Sequence, residues 1–193
     1  MTLFVQQYEP LRWLALLSFV AAAAIVTTRL ATPTPTLTTD QESDAAHLMM
    51  CLVMLAMIGF PTAIDPHAMN SVLTAMTVVY ALLFLARVIQ WHGNPLAPTA
   101  RVVPFAYHFT AAAAMLYAMS GHTAGHHGGA PAAPMLALAA LFTVDALAMA
   151  FPVTRRALRQ LLPHHVGVAG AATVVPHVVM DLGTAYMLIA AIG

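Results

Sequence analysis

The stretch LRWLALLSFVAAAAIVTTRLA, Leu11 to Ala31, holds no charge between Arg12 and Arg29. About 20 such residues in a helix cross the hydrocarbon core of a bilayer. Five more apolar runs follow, parted by segments rich in proline, glycine, threonine or charge. Charged residues make up 7% of the chain, where a soluble domain carries about a quarter. These constraints predict an all-α membrane protein: a six-transmembrane-helix bundle forming a single domain over 1–193, with no soluble domain. The expected helices cover about 11–31, 44–60, 68–91, 102–119, 135–151 and 171–192. A cleaved signal peptide is the competing reading of the first run. Its first ten residues hold Glu9 and no basic residue, and the run is too long for an h-region, so it is expected to stay as a helix.

The punctuation between runs sets the boundaries. ATPTPTLTTDQESDAA is a loop because its prolines bar a helix, and Thr39, Asp40 or Ser43 is expected to cap helix two. Pro61 stops that helix, Asp65-Pro66-His67 makes a short turn, and Pro152 ends helix five. Trp91 is expected at the membrane interface with Arg87 snorkelling nearby. All seven basic residues are arginine, balanced by seven acidic ones, so no electrostatic case for a nucleic-acid partner exists. The lipid bilayer is the expected surrounding partner. With both termini outside, Arg29, Arg87, Arg101, Arg155, Arg156 and Arg159 face inward and only Arg12 faces outward, as the positive-inside rule asks. The chain is therefore expected in the cell membrane, multi-pass, N-out and C-out. The lone cysteine, Cys51, reads as a buried, inert thiol.

Two of the runs echo each other. HLMMCLVMLAM, from His47, and HVVMDLGTAYM, from His177, both read H-x-x-M-x-x-x-x-x-x-M. At 100° per residue, His47, Met50, Met54 and Met57 share a helix stripe about 80° wide. His177, Met180 and Met187 share the equivalent stripe, and YHFTAAAAMLYAM puts His108, Met115 and Met119 on one face. Helices two, four and six run in the same direction in a six-span bundle. Each carries its histidine in its first third, so the three imidazoles are expected within about 6 Å of one level. Seven of the 13 methionines lie on these faces. Methionine stripes also arise from helix packing, but polar groups converging in lipid call for pairing or function. Imidazole and thioether together form a soft ligand set that favours Cu(I).

Asp145, mid-span in helix five, and Asp181, about 40° from His177, are expected to pair with a histidine or to be protonated. Either would orient a metal-bound imidazole from outside the ligand shell. If they ligate directly, a His/Asp zinc site results and the methionines go unexplained. A loop with His122, His126 and His127 is a weaker expectation for outer metal capture. The leading function is Cu(I) binding for passage, storage or delivery, with a membrane-protein or metallochaperone partner. The alternatives are a haem-b electron carrier with axial histidine or methionine, and a non-catalytic accessory subunit of a larger membrane complex. No Ser–His–Asp spacing and no HExxH motif is present, so a hydrolytic enzyme is least expected.

HLMMCLVMLAM, YHFTAAAAMLYAM and HVVMDLGTAYMLIA resemble an uncharacterised actinobacterial family of small multi-pass membrane proteins, known as a domain of unknown function. The resemblance runs from helix two onward. It implies the six-helix membrane architecture and a recurrent H-x-x-M pattern, with His47, Met50, His177 and Met180 as a shared constellation. It brings no activity and no substrate.

Overall fold

The computed structural model describes residues 9–32, 38–60, 63–93, 102–123, 131–151, 154 and 171–192. They form six helices: α1 (Glu9–Ala31), α2 (Thr38–Gly59), α3 (Pro66–Gly93), α4 (Val103–Thr123), α5 (Ala132–Ala150) and α6 (Ala171–Ala190). No strand occurs among the described residues. Five of the helices are long and apolar enough to cross a membrane, so the chain is a multi-pass, all-α membrane bundle. The sixth is α4, whose Tyr107, His108, Thr110 and Tyr117 lower its apolarity. It can carry these groups because its neighbours enclose it: from Val102 to Met119 no residue is exposed.

The helices pair in order, α1 on α2, α3 on α4 and α5 on α6, and α2, α4 and α6 also touch one another. The even-numbered helices thus form the centre. Their partners face outward: 17%, 17% and 22% of the spans α1, α3 and α5 are buried, against 44% in α2 and α6. Exposed Leu14, Leu17, Leu82, Leu85, Leu141 and Val144 cover this outer surface, where lipid and not water is the expected solvent.

Several helices start earlier than the sequence suggests. α2 begins at Thr38, so Thr39, Asp40 and Ser43 lie inside it and none is its N-cap. Two arginines from other helices hold the acidic start of α2 in place. Arg29 of α1 pairs with Asp44 at 3.1 Å, and Arg87 of α3 pairs with Glu42. Arg87 also donates to the Gln90 side chain at 2.9 Å and lies 5.6 Å from the Phe105 ring centre. α3 begins at Pro66 and not after His67. Asp65 is its N-cap, accepting a hydrogen bond from the His67 amide at 3.0 Å, and proline suits the first helical position.

Arginines also close open helix carbonyls. Arg12 donates to the carbonyls of Ile58 and Gly59 at 3.0 and 2.9 Å, satisfying the end of α2. Pro176 lies inside α6 and has no N–H for the carbonyl four residues back, Ala172. Arg29 supplies that donor at 3.2 Å. One guanidinium therefore ties α1 to α2 and to α6, near the start of both central helices.

Candidate metal centre

Each central helix delivers its histidine to the same place. The rings of His47 and His108 meet edge to face with centroids 4.6 Å apart, and His47 and His177 lie 6.1 Å apart. The parity of the helices makes this possible, since α2, α4 and α6 begin at the same end of the bundle.

The imidazoles differ in their hydrogen bonding. His47 Nδ1 lies 2.8 Å from the Ser43 carbonyl, one turn back. A carbonyl only accepts, so Nδ1 carries the proton and Nε2 keeps its lone pair. His108 is 0% exposed, and neither of its ring nitrogens has a hydrogen-bond partner among the described residues. His177 Nε2 lies 3.0 Å from Asp145 Oδ2, reaching across to α5, and 3.5 Å from Asp181 Oδ2 on its own helix. Asp181 is fully buried, and neither of its carboxylate oxygens has a hydrogen bond among the described residues. Ligand atoms of Asp145, His177 and Asp181 lie within 4.8 Å of one another.

The methionines line the same helices. Met50, Met54, Met115, Met180 and Met187 are buried in the common core, and Met57 and Met119 pack against it, partly buried. Met50 and Met180 each stand one turn beyond a histidine, on its face of the helix. Met57, Met119 and Met187 lie in the last turns or near them, toward the opposite end of the bundle. Cys51 is a buried free thiol in this core. His122 belongs to the last turn of α4, while its side chain, and His126 and His127 entirely, lie outside the described residues.

Two tyrosines border the imidazoles: Tyr107, which the sequence suggests as a packing or interfacial residue, and Tyr80, which it does not single out. Tyr107 stacks 4.7 Å from His177 and 5.7 Å from His108, with its hydroxyl buried and without a hydrogen bond among the described residues. Tyr80 of α3 lies 5.6 Å from His108 and donates to the Ala46 carbonyl, beside His47, at 3.2 Å. Neither stands on a histidine's face of its helix, so spacing gave no signal. Tyr107 adjoins His108 in sequence, and that adjacency was the one available hint.

Residues 39–191, which include every histidine, aspartate and methionine of this centre, match the family described as Domain of unknown function (DUF5134). The chain belongs to that family. No curated protein and no solved structure matches the chain. The DUF5134 region starts within α2 and ends beyond α6, so α1 is the one helix outside it. The buried core of the DUF5134 region is completed by α1 through Phe19 and Ala22, and Arg29 reaches the Ala172 carbonyl beside it.

Proposed function

We infer that this protein binds Cu(I) between α2, α4 and α6 and serves copper handling in the membrane, by passage, storage or delivery to a partner. One observation carries the reading: three imidazoles from three helices meet in the bundle core, and one of them, His108, has both nitrogens buried without a hydrogen-bond partner among the described residues. Such groups cost stability unless something occupies them. A soft ion bound by nitrogen supplies the missing interaction, and Met50 and Met180 add thioether ligands that favour Cu(I).

The remaining methionines extend from the histidine level toward the far end of the helices. His47 and Met57 are about 15 Å apart along α2 at 1.5 Å per residue. Thioethers bind softly and release no proton on binding, which suits passing an ion from level to level. Under the N-out, C-out orientation that the arginines favour, the histidines stand near the inner membrane face and the thioethers lead outward.

Haem b is less well supported. Axial histidines must hold a porphyrin between them, and the edge-to-face contact of His47 and His108 leaves no gap for one.

The test is elemental analysis of protein purified anaerobically in detergent from copper-supplemented cells, beside a His47→Ala/His177→Ala variant. Near-stoichiometric copper is expected in the parent and none in the variant, with both equally helical by circular dichroism. Parent protein that cannot be loaded with Cu(I) would overturn the reading.

A further inference from the structure

We propose that Asp145, His177 and Asp181 form a separate subsite for a divalent ion of zinc type, beside the imidazole site. The proposal goes beyond the copper reading and shares only His177 with it, so each can fail alone.

Geometry is the first support. A tetrahedral ion with bonds of about 2.0–2.2 Å holds its donor atoms about 3.3–3.5 Å apart. His177 Nε2 lies 3.0 Å from Asp145 Oδ2 and 3.5 Å from Asp181 Oδ2, and the three ligand atoms all fall within 4.8 Å. The two His177 distances are already within about 0.3 Å of such a shell, and the carboxylates of Asp145 and Asp181 need to close by about 1.3 Å at most. Three protein ligands leave a fourth position for water or an exchanging ligand, the pattern of zinc sites that are not purely structural.

Burial is the second support, and it is independent of spacing. Asp181 is 0% exposed with both carboxylate oxygens lacking a hydrogen bond among the described residues. A carboxylate in that position needs a cation or a proton. The third support is charge. Two carboxylates and a neutral imidazole around a divalent ion sum to zero, which suits a low-dielectric interior. A monovalent ion would leave a net negative charge there. Oxygen and nitrogen donors suit zinc better than they suit Cu(I).

Exposure falls inward through the cluster: 39% for the Asp145 side chain, 19% for His177 and 0% for Asp181. Asp145, on the outer helix α5, is thus the most accessible of the three ligands.

The experiment uses full-length protein in detergent, stripped with a chelator and titrated with Zn2+ against a chelating dye. Cu(I) loading is measured separately under anaerobic conditions. One zinc site per chain is expected in the parent. Asp145→Asn, an isosteric change at a half-exposed position, should weaken zinc by at least the roughly 100-fold that loss of an outer-shell partner can cost. The same variant should still load one Cu(I) per chain, weakened far less than zinc because only the orientation of His177 changes. His47→Ala should show the reverse, losing Cu(I) and keeping zinc. A parent that binds no zinc, or an Asp145→Asn variant that binds zinc with parental affinity, would overturn the subsite and leave the copper reading standing. Loss of Cu(I) in the parent with zinc retained would overturn the copper reading alone.

Discussion

Replacing His108 by leucine is expected to stabilise the metal-free protein and to abolish copper binding in the same step. His108 sits at 0% exposure in the central helix, and both ring nitrogens lack hydrogen bonds among the described residues. A buried polar group left unsatisfied costs about 1–3 kcal/mol. Leucine fills much of the same space without that cost, so metal-free His108→Leu should gain about 1–3 kcal/mol. Thermal unfolding in detergent, with and without Cu(I), reads both effects. The parent should gain stability on loading and the variant should not, because a ligand stabilises only the state that binds it. A leucine variant less stable than the metal-free parent would mean that His108 is a packing residue. Position 108 would then carry no trade-off between stability and function.

The second large effect lies on the far side of α6. Gly183 receives the Phe19 ring of α1 so closely that an added Cβ would stand 2.1 Å from Phe19 Cζ and 2.8 Å from Cε2. An aromatic ring buried to 1% exposure has no free space to swing into. Gly183→Ala should therefore destabilise the bundle by about 3 kcal/mol, at the upper end of overpacking costs, by forcing α1 away from α6. Small residues at helix contacts in membranes serve this kind of close approach. Phe19→Leu in the same chain should recover part of the loss, giving a favourable coupling in a double-mutant cycle. Additive effects of the two changes would show that the ring and the glycine are not in contact. The change also bears on the metal centre, because Gly183 lies two residues from Asp181 and one turn from Met180.

The bundle itself was legible because the strongest signals are local. Apolar runs of spanning length, ended by Pro61 and Pro152, fix where helices exist regardless of how they pack. The meeting of His47, His108 and His177 follows from two further facts visible in the sequence: alternate helices run in parallel, and each histidine stands near the start of its helix. The pairing of Asp145 with His177 follows from α5 and α6 being consecutive and antiparallel.

What the sequence hid depends on groups from elsewhere. The acidic start of α2 looks like loop until Arg29 and Arg87 are brought to Asp44 and Glu42 from α1 and α3. Arg29 also serves the Ala172 carbonyl that Pro176 leaves open, which no local rule connects to residue 29. Tyr80 and Tyr107 reach the imidazoles across helix boundaries, and Phe19 finds Gly183 more than 160 residues away in the chain. Each of these contacts links residues distant in sequence, and periodicity reports only which face a residue occupies.

The most direct measurement is X-ray absorption at the copper edge of protein loaded anaerobically with Cu(I). The expected spectrum shows imidazole nitrogen and thioether sulfur in one ligand shell, and His47→Ala/His177→Ala should retain no copper to give such a shell. A shell without sulfur, or one unchanged by that double substitution, would contradict a Cu(I) site built from the histidines and methionines of α2, α4 and α6.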